Sequence, residues 1–172
     1  TSSASSIAEN AGSSLTLTAT LSVATTADVT VGISTSGTGT EGTDYGTISD
    51  ITISAGDLTG TASFTPTDDS VYEGNETGVV AISTVSGGSA TERGNQSVTI
   101  TINENESSPT VTLTTSASSI AENAGSSLTL TATSSIVADE DITVSISTTG
   151  TGTEGTDYST ISDITISAGQ TT

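Results

Sequence analysis

The strongest constraint on the fold is an internal repeat with a period of about 113 residues. The segment ASSIAENAGSSLTLTAT occupies residues 4–20 and returns unchanged at residues 117–133. Two further segments, GTGTEGTDY and ISDITISAG, recur at the same offset without any gap. Solenoid repeats span only about 20–50 residues, so a unit of this length is large enough to form a domain. The sequence therefore predicts two tandem copies of one domain.

Both predicted copies are incomplete. We assign residues 1–108 to a first copy that lacks its leading strand, and residues 109–172 to the first half of a second copy. The segment PTVTL, which opens the second copy, has the pattern of a strand and has no counterpart before Thr1. The second copy stops at Thr172, which corresponds to Thr59 of the first. We therefore expect the sequence to be part of a longer array, in which either more of the same polypeptide or a neighbouring copy completes both copies.

Apolar residues alternate with Thr, Ser or Gly along most of the first copy. The alternating positions are Leu15, Leu17, Ala19 and Leu21; Val29, Val31 and Ile33; Ile51 and Ile53; Ala62 and Phe64; and Val98, Ile100 and Ile102. A continuous apolar run at residues 79–82 is typical of a more buried strand. Alternation with a period of two, broken by turn residues, indicates about seven strands in about 105 residues. The pattern predicts an all-β fold, an immunoglobulin-like seven-stranded antiparallel β-sandwich repeated in tandem.

The residue types that are missing exclude most catalytic and binding chemistries. The chain has no His and no Cys, so it lacks a Ser–His or Cys–His nucleophile pair and the usual ligands of zinc. Its 20 acidic residues face a single Arg93, for a net charge of −19, which argues against nucleic acid and anionic membranes as partners. No apolar run approaches the roughly 20 residues that span a bilayer, so we expect no membrane insertion. We predict no enzyme, because no aromatic-lined cleft accompanies the carboxylates.

The carboxylates of the first copy gather just beyond the predicted strand ends. Strand ends on one side of a sandwich come together in space, so these groups can converge. Several like charges within a few ångströms repel one another unless a cation neutralises them. Ca²⁺ takes about six to eight oxygen ligands in a flexible geometry, whereas Mg²⁺ prefers to keep its waters. The pattern therefore predicts Ca²⁺ as the cofactor.

Three motifs of the first copy resemble one known family. The segment GTGTEGTDY at residues 37–45 is similar to the signature of the Calx-beta domain, in which a turn is followed by Gly-x-Asp-Tyr. The segment TDDSVYEGNE at residues 67–76 resembles the acidic segment of that family, and Glu9-Asn-Ala-Gly12 resembles its early turn. The resemblance covers the first copy and all of the second that is present. It implies a seven-stranded sandwich that binds Ca²⁺ at one end, as in sodium–calcium exchangers, integrin β4 and large bacterial surface proteins.

The resemblance also implies a set of calcium ligands. In the first copy these are Glu9, Asp44, Asp68, Asp69, Glu73 and Glu76, with Glu104 and Glu106 in place of the aspartates that usually follow the last strand. In the second copy only Glu122 and Asp157 are present. Ser70 stands where a third aspartate is common, so fewer or weaker ions are expected. Glu41 and Glu154 have no match in the family and are expected to be solvated.

These features favour a calcium-binding structural repeat of a long fibre, stalk or adhesin, at the cell surface or secreted. The expected partners are neighbouring copies of the same protein, and polymerisation by strand complementation is one way to join them. Nothing in the sequence indicates a particular cell-surface or matrix ligand. Two alternatives remain at this point. One is a calcium-sensing regulatory module, and the other is an ice- or glycan-binding surface protein, suggested by the Thr-x-Thr runs.

Overall fold

The computed structural model describes all of residues 1–172 and contains eleven strands and no helix. The strands are β1 Ser6–Ala8, β2 Leu15–Thr20, β3 Val29–Gly37, β4 Ile51–Ile53, β5 Thr59–Phe64, β6 Glu76–Ser86, β7 Ser97–Asn103, β8 Val111–Thr115, β9 Leu130–Ser134, β10 Ile142–Val144 and β11 Ile164–Ile166. The first seven strands lie in the predicted first copy. The all-β prediction with tandem domains is confirmed.

The chain divides into two compact units. The first contains Thr1–Asp69 and Gly74–Asn105, and the second contains Ser70–Glu73 and Glu106–Thr172. The predicted boundary after residue 108 stays a prediction. No helix in the structure has the length and apolarity needed to cross a membrane.

The first unit has two sheets. A five-stranded sheet has the order β1-β7-β6-β3-β4, and β2 pairs with β5 in a second sheet. The pairs are antiparallel with one exception, because β1 runs parallel to β7. In that pair Ile7 lies opposite Ile102, and Ala8 lies opposite Asn103. The parallel pair matters for the site because both strands end at the same edge of the sheet.

The core of the first unit follows from the alternation of its strands. Successive side chains of a strand point to opposite faces, so every second residue can be buried. The core also includes Tyr45 and Ile48 from the segment between β3 and β4. The full buried set is Ile7, Leu17, Val29, Val31, Tyr45, Ile48, Ile51, Ile53, Phe64, Val80, Ile100 and Ile102. Phe64 stacks on Tyr45 with the ring centroids 4.7 Å apart. Gly78 lies against this pair, since a Cβ there would come within 2.7 Å of the Phe64 ring.

The second unit contains two separate two-stranded sheets. β8 pairs with β9 and β10 pairs with β11, both antiparallel. Ala132 and Ile166 are buried, but four larger apolar side chains are exposed. These exposed side chains are Val111, Leu113, Ile120 and Leu128. The apolar residues of the second unit are therefore only partly covered.

Candidate metal centre

The parallel pairing of β1 and β7 brings two glutamates together. Glu9 directly follows β1 and Glu104 directly follows β7, and the last residues of these strands lie opposite each other. The Glu9 N–H donates to the carbonyl oxygen of Asn103 at 2.9 Å, which continues the pairing by one step. Carboxylate oxygens of Glu9, Glu104 and Glu106 lie within 4.8 Å of one another. We call these three residues cluster one.

Main-chain donors orient two of the three carboxylates of cluster one. The amide of Asp69 donates to Oε1 of Glu9 at 3.2 Å. The amides of Gly74 and Asn105 donate to the two carboxylate oxygens of Glu104, each at 2.8 Å. Glu9 is only 6% exposed. These contacts orient the carboxylates before any ion binds, which lowers the entropic cost of binding.

A tight turn positions the first carboxylate of a second group. The Thr40 amide donates to Oδ2 of Asp44 at 2.5 Å, and the Asp44 amide donates back to the Thr40 carbonyl at 3.0 Å. Gly42, at the tip of this turn, has a φ of 91°, which favours glycine. Carboxylate oxygens of Asp44, Glu73 and Glu76 lie within 4.8 Å of one another. We call these three residues cluster two.

Tyr45 connects cluster two to the core. Its side chain is buried against Phe64, and Asp44 precedes it in the same turn. Burial raises the pKa of the Tyr45 hydroxyl above its ordinary value of 10.0, and the nearby carboxylates of Glu41, Asp44 and Glu76 raise the pKa further. A hydrogen bond with Thr35 acts in the opposite direction. The acidic residues thus act on a side chain that packs in the core.

The raised pKa of Tyr45 predicts a loss of stability at alkaline pH. Between the unfolded pKa of about 10 and the higher folded pKa, the unfolded state loses a proton that the folded state keeps. The free energy of unfolding should therefore fall as the pH rises through this interval. Urea unfolding of the wild-type chain and of Tyr45→Phe at several pH values from about 9 to 11.5, in EDTA, measures this. An equally steep fall in the variant would contradict the assignment.

The chemistry of both clusters fits Ca²⁺. Calcium–oxygen distances are about 2.3–2.6 Å, so two oxygens on opposite sides of one ion are about 5 Å apart. The 4.8 Å limit that encloses each cluster lies within this span. Each cluster supplies three carboxylates, and further oxygens can come from main-chain carbonyls and water. A divalent cation would also relieve the repulsion among these like charges, for which the chain has only Arg93 as an intrinsic counter-charge.

The ten predicted ligands fall into three groups according to their positions in the structure. Six of the ten belong to the two clusters. Asp68 and Asp69 are exposed and belong to neither, although the Asp69 amide contacts Glu9. In the second unit Glu122 and Asp157 are exposed and form no group of three carboxylates. Whether any of the ten binds a metal stays a prediction.

The expectation that Glu41 is solvated is wrong. Glu41 is half-buried, and its carboxylate accepts hydrogen bonds from the Thr35 hydroxyl at 2.6 Å and from the Ile48 amide at 2.8 Å. Glu41 therefore ties the turn that carries Asp44 to β3 and to the segment before β4. Glu154 is exposed, as expected, but accepts the equivalent two bonds in the second unit.

The fold and these clusters define a class of protein, a tandem β-sandwich repeat with acidic groups at its strand ends. The chain belongs to the Calx-beta domain family, whose matches span residues 2–106 and 104–166 as two adjacent copies. The resemblance carried by the three motifs is thereby confirmed. No curated protein matches the chain. Calx-beta domains are non-catalytic structural or regulatory modules, bind calcium in general, and occur in extracellular or surface proteins.

Proposed function

We propose that this chain is a calcium-binding structural repeat of a long extracellular fibre, stalk or adhesin. The observation that carries the proposal is the pair of three-carboxylate clusters in the first family match, residues 2–106. Each cluster draws carboxylates from separate parts of the chain, so an ion bound there would link strand ends that are far apart in sequence. Glu9 and Glu104, for example, follow the first and the last strand of the first unit. Calcium would then stabilise the sandwich by holding these strand ends together.

The tandem arrangement favours a structural role over a sensor. The part of the sequence that the two copies share recurs at one fixed offset, as expected of an array that extends one geometry. Extracellular calcium-binding modules have dissociation constants of about 10⁻⁴–10⁻³ M. Because the external calcium concentration is constant, the occupancy of such sites does not change with time. A sensor requires a tighter site, with a dissociation constant of about 10⁻⁷–10⁻⁵ M. The affinity therefore separates the two functions.

Isothermal titration calorimetry with Ca²⁺ and with Mg²⁺ tests the proposal. We expect calcium to bind in the range of about 10⁻⁴–10⁻³ M and magnesium to bind much more weakly. Glu104→Gln in cluster one and Glu76→Gln in cluster two should each weaken calcium binding at least about tenfold at one site. Glu140→Gln is the matched control, because Glu140 is exposed and lies in neither cluster. Calcium binding that is absent, or that responds equally to all three variants, would contradict the proposal.

A further inference from the structure

An apolar groove in the first unit follows the outer edge of β2. Its lining combines β2 residues such as Leu17 and Ala19 with residues of β3, β6 and β7 from the other sheet. A cavity of about 190 Å³ lies at one end, and a wider opening of about 590 Å³ continues along Leu21 and Val23. Val23 is 69% exposed and lies beside the apolar lining. We call this feature the β2 groove.

The edge of β2 is paired over only part of its length. The Thr18 amide donates to the Thr1 carbonyl at 2.8 Å, and the Thr1 nitrogen donates to the Thr18 carbonyl at 2.9 Å. In a strand, alternate residues direct their main-chain groups to the same side, so Thr20 faces the same edge as Thr18. No strand lies opposite Thr20 on that side. The pairing therefore stops where the groove opens.

The second unit shows which strand belongs at such an edge. β9 is the repeat equivalent of β2, and its corresponding edge pairs with β8. There Leu113 lies opposite Ala132, and Thr112 lies opposite Thr133. The repeat offset of about 113 residues maps Ala132 onto Ala19 and Thr133 onto Thr20. A strand with the sequence of β8 would thus place its leucine over the β2 groove and pair its main chain with Thr20.

β8 is poorly buried where it lies. All five of its residues are exposed, with Leu113 at 51% and Val111 at 38%. In the register of β8 with β9, Val111 and Leu113 share the face of the buried Ala132. The same register on β2 would bring both side chains against apolar residues from two sheets. Transfer of β8 from β9 to the β2 groove would exchange one set of main-chain hydrogen bonds for another and would bury two apolar side chains.

We propose that β8 of one molecule inserts into the β2 groove of a second molecule, displaces residues 1–3 from the edge, and joins the two head to tail. Residues 1–3 are held there by four hydrogen bonds, to Thr16 and Thr18, and donor residues 114–116 can replace them because they are their repeat equivalents. The inserted strand would continue past Thr20, so that Pro109 would lie opposite Val23. This inference rests on the proposed function as a structural repeat and supplies the contact by which neighbouring copies join.

Sedimentation of the wild-type chain and two variants tests the insertion. We expect concentration-dependent oligomers of the wild type. Leu113→Asp should weaken association at least about tenfold, because a carboxylate would enter the apolar groove. Thr112→Asp is the matched control on the opposite face of β8 and should retain association. Both sites are exposed in the molecule by itself, so neither variant should prevent folding. A monomeric wild type, or equal loss in both variants, would overturn the proposal.

A capped variant separates this inference from the calcium proposal. Placing Pro-Thr-Val-Thr-Leu before Thr1 would fill the β2 groove from within the same chain. The capped chain should be a monomer alone but should form a one-to-one complex with uncapped Leu113→Asp, since one supplies β8 and the other supplies the groove. Oligomers of the capped chain alone would overturn the proposal. The same association in EDTA and in Ca²⁺ would support strand exchange even if calorimetry showed no calcium binding.

Discussion

Replacement of Phe64 by alanine is expected to destabilise the first unit by about 3–5 kcal/mol, the usual cost of removing a large aromatic side chain from a core. Phe64 is fully buried and is the only phenylalanine of the chain. Its ring stacks on Tyr45 and fills the space that Gly78 leaves open. Few other large side chains are present to occupy the cavity, since aromatic residues make up only 2% of the sequence. Domains are stable by about 5–15 kcal/mol, so this loss would remove much of the total.

Urea unfolding in EDTA measures the effect of Phe64→Ala without a contribution from metal. Leu58→Ala serves as the control, because Leu58 is 48% exposed and should change the free energy of unfolding by less than about 1 kcal/mol. A loss of less than about 1 kcal/mol in Phe64→Ala would show that the aromatic pair is not central to the core.

Glu9→Gln is expected to change stability in opposite directions with and without calcium. Glu9 lies within 4.8 Å of two other carboxylates, and in EDTA each ionised pair repels by at least about 3.5 kcal/mol at an effective dielectric constant of about 20. Glutamine removes this repulsion, and its carbonyl oxygen can still accept the hydrogen bond from the Asp69 amide. In EDTA the variant should therefore be more stable than the wild type. In calcium it should be less stable, because it loses a charged ligand.

Thermal unfolding of Glu9→Gln and of the wild type, each in EDTA and in Ca²⁺, measures this effect. The midpoint of Glu9→Gln should lie above that of the wild type in EDTA and below it in millimolar Ca²⁺. Asp57→Asn is the control, because Asp57 is exposed and lies in neither cluster. Its midpoint should shift in the same direction in both buffers. Parallel behaviour of Glu9→Gln and Asp57→Asn would show that cluster one does not bind calcium.

The strands of the first unit could be predicted because each buries one face. Alternation at Leu15, Leu17 and Ala19 matches β2, and alternation at Val29 and Val31 matches β3. The alternation did not predict β1, because three residues are too few to show a period of two. Its parallel pairing with β7 depends on a contact between the two ends of the first copy, which local sequence does not encode. The position of Glu9 beside Glu104 follows from this pairing.

The candidate site was predictable in its residue types but not in its grouping. The position after the last strand named Glu104 and Glu106, and the three motifs named the other four members of the two clusters. They also named Asp68 and Asp69, which lie outside both groups. The structural role of Glu41 was missed, because its partners Thr35 and Ile48 lie on other segments and only the folded chain brings them together. Carboxylates that bind metal and carboxylates that accept structural hydrogen bonds look alike in a sequence.

Thermal unfolding of the wild-type chain in EDTA, in Ca²⁺ and in Mg²⁺ tests the central claim most directly. A ligand that binds only the folded state stabilises it by about 2.7 kcal/mol at a concentration 100 times its dissociation constant. We predict that the midpoint rises with calcium concentration without reaching a plateau at stoichiometric calcium, and that Mg²⁺ at equal concentration has a much smaller effect. Midpoints that are equal in EDTA and in saturating calcium would contradict the claim and would leave the acidic clusters as a solvated surface of the sandwich.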